Sequence, residues 1–155
     1  MKTNELYYPY DLEYPDIPCE IRIPIKIFSS RNSTEGMCLE LEAIWDTGAT
    51  NSVITPEIAE KLCLDIVDNW NVSGINSEKA SDVVVAAIIL PNGMFLKDRR
   101  FSVCNIPGAD MLIGMDIISM GDFNLSNAKG KTHFSFVIPP YKEIISYSKL
   151  IDGTW

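Results

Sequence analysis

Alternation is the strongest signal along this chain. Ile21, Ile23, Ile25 and Ile27 alternate with Arg22, Pro24 and Lys26, the period of a strand with one buried face. Turn residues fill positions 29–36 and apolar residues resume over 37–45, so the two runs predict a hairpin. Residues 83–90 and 94–104 predict two further strands across Pro91-Asn92-Gly93, a turn signal. A short apolar strand is predicted at 111–114. Strands at 123–126 and 133–138 are predicted to pair across Asn127-Ala128-Lys129-Gly130. Between 69 and 82 the chain is polar, with Gly74 inside, and predicts a projecting hairpin or loop.

Helical signals are few. Thr55 can cap, Pro56 suits a first helical position and Glu57 suits the positive dipole end. Ile58, Ala59 and Leu62 then supply a buried stripe to about residue 64. A helix of one or two turns is expected after Gly114, ending near Gly121, and another over 141–150. Pro9, Pro15 and Pro18 discourage regular structure in the Tyr-rich start. The expected organisation is an extended arm over 1–18, one domain over 19–140 and a helical tail over 141–155. The class is mostly β.

Composition narrows the function. The 155 residues are 46% hydrophobic and 22% charged, which suits one globule with its own core. Lys and Arg number 13 against 21 Asp and Glu, a net charge of −8. That sign opposes the counterion release on which nucleic-acid binding depends, and it opposes docking on anionic membranes. The longest apolar run, 83–90, is about half of a membrane span. The start, MKTNELYYPYDLEYP, has no apolar signal core, so a soluble, cytoplasmic protein is expected. Cys19, Cys38, Cys63 and Cys104 lie far apart and His133 is the single histidine. No zinc site follows from such spacing, and reduced, mostly buried thiols are expected. His133 sits in an alternating segment and reads as an outward strand position.

One segment carries chemistry. In Ile44-Trp45-Asp46-Thr47-Gly48-Ala49 a carboxylate ends an apolar strand, with a hydroxyl and then a glycine following. An acid placed there costs desolvation energy unless hydrogen bonds or a function compensate. Taken alone, Asp46 also reads as a turn-capping aspartate, a common occupation. A second segment, Met111-Leu112-Ile113-Gly114-Met115-Asp116, changes the weighing. Together with Ser52, and with the order of elements from about 21 to 138, the two segments resemble the retropepsin-like aspartic proteases. These are the single-lobe family that includes the retroviral enzymes.

The resemblance implies a closed β-barrel lobe with two or three short helices. It implies an endopeptidase that cuts extended, apolar-flanked segments of a peptide or protein substrate with a water nucleophile, without metal or organic cofactor. That chemistry needs two carboxylates sharing one proton. The chain has a single Asp-Thr-Gly, so a homodimer is implied, with Asp46 catalytic in each copy. Thr47 would bond across the two-fold, Gly48 would offer its backbone to substrate, and Ala49 would keep space beside the dyad. Ser52, Gly114 and Asp116 would support the loop. Val72, Gly74 and Ile75 would form a flap, with Ile44 and Leu112 beside the substrate. The sequence departs from the pattern in the bulky Trp45, expected in the core, and in a flap with one glycine and no aromatic tip. A non-catalytic peptide-binding or scaffold module on the same fold is the alternative.

Overall fold

The first element among the described residues is a strand. In the computed structural model, which describes residues 6–29, 37–74 and 77–153 (side chains of 72–79 excepted), Tyr8–Tyr14 forms β1. It pairs antiparallel with Lys131–Ile138, Pro9 lying opposite Val137. The prolines were expected to keep this stretch out of regular structure. Pro9 is accommodated because β1 is an edge strand, where a missing N–H interrupts no second ladder. Tyr8, Tyr10, Leu12 and Tyr14 pack against the core. The Tyr14 hydroxyl donates to the Arg22 carbonyl at 2.7 Å and accepts from the Arg22 amide at 3.1 Å, which fixes the end of the strand.

The remaining elements follow in order. Arg22–Phe28 is β2, Cys38–Trp45 β3, Val53–Ile54 β4 and Pro56–Lys61 α1. Ile66–Gly74 is β5, Ser77–Ile89 β6, Phe95–Val103 β7 and Met111–Ile113 β8. Met115–Ile118 is α2, Asp122–Ala128 β9, Lys131–Ile138 β10 and Tyr147–Asp152 α3. The larger sheet runs β2-β3-β8-β4-β7-β6-β5, and β2 also pairs with β6. Six strands thus close a barrel, while β5 extends outward as the hairpin partner of β6. A second sheet has the order β1-β10-β9. The protein is mostly β with a closed barrel and three short helices, as expected.

Burial explains why the alternating strand forms. Ile23, Ile25 and Ile27 are almost wholly buried, and each such side chain stabilises the fold by about 1.5–3 kcal/mol. Trp45 joins the two sheets: its ring meets Phe134 and Phe136 edge-on, with centroids 5.2 and 5.0 Å away. It is a core residue, as its sequence context suggested.

Several local expectations are corrected. Thr55 makes no side-chain cap bond, and its Oγ1 is buried without a partner. The helix start rests on Pro56 and on the Thr55 carbonyl, which accepts from Ile58 and Ala59 at 3.1 Å each. α1 also ends early, at Lys61, since Cys63 takes a left-handed φ of 49°. The β9–β10 turn is tighter than four residues: Lys129 and Gly130 have φ of 54° and 77°, the primed geometry of two-residue hairpins. The C-terminal helix begins at Tyr147 instead of near 141. Ahead of it the Tyr141 amide donates to Asp122 Oδ2 at 2.7 Å, and its ring lies 5.5 Å from Tyr7. Those anchors hold the segment along the sheet. Cys19, Cys38 and Cys63 are exposed and Cys104 is half-buried, so the thiols are not mostly buried. Cys38, for example, falls on the outward phase of β3.

Candidate active site

The parallel pairing of β3 with β8 places the carboxylate. Trp45 lies opposite Ile113, and the Asp46 amide donates to the Ile113 carbonyl at 2.9 Å, so Asp46 emerges where the ladder ends. The chain then turns. Gly48 N–H donates to Asp46 Oδ1 at 2.8 Å, and Ala49 N–H reaches the Asp46 carbonyl at 3.3 Å. A Cβ on Gly48 would sit 3.1 Å from that same carboxylate oxygen. Asp46 and Ala49 are half-exposed, and Thr47 and Gly48 are exposed.

Behind the loop lies a clamp. The Met115 amide donates to the Ala49 carbonyl at 2.8 Å and the Asp116 amide to the Thr50 carbonyl at 3.1 Å. Gly114 makes this approach possible: a Cβ there would meet Asn51 C at 2.6 Å and Asn51 O at 2.7 Å, both backbone atoms. Ser52, fully buried, donates its hydroxyl to Asp116 Oδ1 at 2.8 Å and accepts from the Gly114 amide at 3.0 Å. Burial pushes the Asp116 carboxyl above its ordinary value, and the Ser52 hydroxyl pulls the other way. The motif residues Ser52 and Gly114, both buried, and half-buried Asp116 therefore meet in one knot. The contributions of Thr50 and Asn51, made through the main chain, have no sequence signal.

Ile44 lies opposite Leu112, and Leu112 opposite Val53. All three are half-buried and form an apolar strip in the strands that carry the loop. Val72 and Gly74 belong to β5, paired in register with Lys79 and Ser77. Their side-chain surroundings, and Ile75 entirely, lie outside the described residues. The hairpin base is held by a group that sequence reasoning missed. Arg100 Nη1 donates to Asp68 Oδ2 at 3.1 Å, and its Cζ lies 5.7 Å from the centroid of the Trp70 ring. Trp70 Nε1 donates to the same Asp68 oxygen at 3.1 Å. The Asn69 amide, the indole and the guanidinium hold the Asp68 carboxyl below its usual range. The partners sit 32 positions apart, with no motif to link them. His133 is exposed on β10, its Nε2 3.0 Å from Asp11 Oδ1. Among the described residues, no three His, Cys, Asp or Glu side chains are grouped to hold a metal ion.

A family model described as "gag-polyprotein putative aspartyl protease" matches residues 39–120. That span is more than half of the chain and contains the Asp46 loop, the β5–β6 hairpin and the Gly114 crossing. The chain belongs to this family. Its fold is retropepsin-like, in keeping with the solved structure of a retropepsin-like aspartic protease from Rickettsia conorii. That structure matches at 15% identity with a TM-score of 0.53, over 86% of this chain and 96% of the other. EIAV protease complexed with the inhibitor HBY-793 matches at 21% identity and a TM-score of 0.49, covering 68% and 90% of the two chains. The simian foamy virus protease matches at 18% and 0.45, covering 64% and 93%. No curated protein matches the chain. Among the described residues, no helix is long and apolar enough to cross a membrane.

Proposed function

We propose that this aspartic-protease family member is an active endopeptidase that works as a homodimer, each copy lending Asp46 to a shared site. The observation that carries the reading is the placement of Asp46. It stands half-exposed on a loop braced from behind, while the other acid of the motif, Asp116, is engaged by Ser52. The second carboxylate then comes from another copy, and the pair holds one proton between them. The ionised Asp46 takes a proton from water as the water oxygen bonds to the scissile carbonyl carbon. The protonated Asp46 of the second copy gives its proton to the carbonyl oxygen. Collapse of the tetrahedral intermediate breaks the C–N bond as a proton passes to the leaving nitrogen.

The roles of the loop residues in this reading agree with their positions. Gly48 N–H is occupied by Asp46, so the Gly48 carbonyl is the group left to pair with a substrate main chain. Ala49 keeps the space beside the dyad small, and exposed Thr47 bonds across the two-fold. Ser52, Gly114 and Asp116 hold the loop. Ile44 and Leu112 form an apolar floor under an extended peptide, and Val72, Gly74 and Ile75 close over it. A fluorogenic peptide-library assay tests the reading. Wild type should cleave best at mildly acidic pH, and Asp46→Asn should lose about 10³-fold or more of that rate. A rate still rising from about pH 6 to about pH 9 contradicts a dyad that must keep one proton. Peptide binding without cleavage would select the binding module instead.

A further inference from the structure

On its side away from Asp46, the strip of Ile44, Leu112 and Val53 gives way to a cavity. The β4–β8 ladder continues one step past its last paired residues, since the Thr55 amide donates to the Asp110 carbonyl at 3.0 Å. Side chains alternate along a strand, so Asp110 shares the face of Leu112 and Thr55 the face of Val53. Exposure follows that phase: Asp110 is exposed, Met111 buried and Leu112 half-buried. Asp110 and Thr55, with Glu57, Ile106 and Gly108, line a cavity of about 420 Å³. Its walls are pinned on both sides. Arg22 Nη2 donates to the Gly108 carbonyl at 3.0 Å, tying the 105–110 loop to β2, and the Thr55 amide holds Asp110.

We propose that this cavity seats a lysine or arginine side chain of the peptide lying on the strip, with Asp110 as the residue that selects it; the assignment rests on the endopeptidase reading of Asp46 and names its substrate class. The charge of the cavity is not settled within the chain. Arg22 Nη2 is 2.7 Å from Glu20 Oε2, and Lys61 Nζ is 2.6 Å from Glu57 Oε1. Glu57 first, and Asp110 more weakly, hold the Lys61 ammonium above its ordinary range. With those pairs made, the Asp110 carboxylate has no ion pair or hydrogen bond of its own among the described residues. Thr55 Oγ1 also has no partner. Two acceptors and one uncancelled negative charge suit a cation that carries N–H donors. No three metal ligands are grouped among the described residues, so an organic cation fits better than a metal ion. Reach agrees as well. One pleat repeat, from Leu112 to Asp110, is about 7 Å, which the four-carbon stem of a lysine resting on the strip can span. The overall charge of −8 draws in a ligand of the same positive sign.

The experiment uses the full chain and a fluorogenic apolar peptide with norleucine at every flanking position, beside variants carrying one Lys or one Arg at each. Wild type should cleave the best basic variant with kcat/KM about fivefold above the norleucine parent, the upper range for an exposed ion pair. Salt at about 1 M should remove that preference. Asp110→Asn keeps the side chain's shape and the main-chain bond to Thr55, and should bring the ratio to about one. Asp152→Asn makes the same charge change on α3 and should keep the wild-type ratio. A basic preference that survives Asp110→Asn overturns the assignment, as does one lost equally in Asp152→Asn. Binding of the same peptides to Asp46→Asn, with and without Asp110→Asn, is read by fluorescence anisotropy. Cleavage that ignores the basic residue removes the cavity's role alone. An Asp110-dependent preference in binding, without cleavage by wild type, keeps the cavity and removes the endopeptidase. Neither binding nor cleavage removes both.

Discussion

The Asp46 loop and the β5–β6 hairpin are held in opposite ways. The loop is braced by main-chain bonds from α2 and by a serine with no solvent access, packed so closely that only a glycine fits at the crossing. The hairpin base is fastened at the surface, by an Asp68–Arg100 pair whose side chains are about half-exposed and by an indole under the guanidinium. On the proposed function, the loop carries a group that must meet a reacting atom and tolerates little displacement, whereas the hairpin is a cover that must open and close. Rigid brace and surface latch would suit those two tasks. The contrast can be tested by loosening each.

The largest effect is expected at the crossing. Gly114→Ala would drive a methyl to within 2.6–2.7 Å of Asn51 backbone atoms, which cannot yield as a side-chain tip can. A loss of about 4 kcal/mol or more, or failure to fold, is expected in urea denaturation. Near-wild-type stability would show that the brace has slack. Gly48→Ala should cost less, about 1 kcal/mol, because its 3.1 Å neighbour is the Asp46 carboxylate oxygen itself. Its larger effect should be on turnover, through rotation of that carboxylate.

Next comes Ser52→Ala, which removes the partner of the Gly114 amide and the donor to Asp116. The expected loss at neutral pH is about 2–3 kcal/mol. Its pH dependence has a definite sign. Burial raises the Asp116 carboxyl in the folded state above its ordinary value, so the folded chain binds more protons between the unfolded and folded values. The contribution of this group is therefore largest below the unfolded value and is lost as pH rises through the folded one. Removing the Ser52 hydroxyl takes away a lowering influence and widens that window. The penalty of Ser52→Ala should thus be smaller at about pH 3 than at pH 7. An equal penalty at both would mean that the hydroxyl and carboxyl are uncoupled.

These residues also show what a sequence can and cannot disclose. The Ile21–Ile27 alternation was legible because period two maps directly onto one buried face. Asp46, Ser52, Gly114 and Asp116 were legible as a set, but the reason for Gly114 was not. Its neighbours are main-chain atoms of residues 49 and 51, far earlier in the chain, and main-chain atoms leave no mark in composition. β1 was hidden because a proline signals a break only when both edges of its strand are paired, and pairing is a tertiary fact. Thr55 looked like a cap, yet its hydroxyl forms no cap bond. The Asp68–Trp70–Arg100 group was invisible because β6 lies between its two strands, a neighbourhood that the sheet order alone creates.

The smallest effect on stability, and the clearest on motion, is expected from Arg100→Ala. Exposed pairs of this kind are screened and contribute little to global stability, so the thermal midpoint should barely move. The base of the hairpin, however, loses a partner for Asp68 and the cation over Trp70 at once. Amides of Ile66–Gly74 should exchange hydrogen several-fold faster, while those of the buried loop brace should not change. Arg100→Lys keeps the charge but not the planar fork or its stacking, and should fall between the two. Wild type in about 1 M salt should move toward the alanine variant, since the Debye length there is about 3 Å. If the amides exchange at the wild-type rate in every case, the strand ladder alone holds the hairpin base, and the two regions differ less than their contacts suggest.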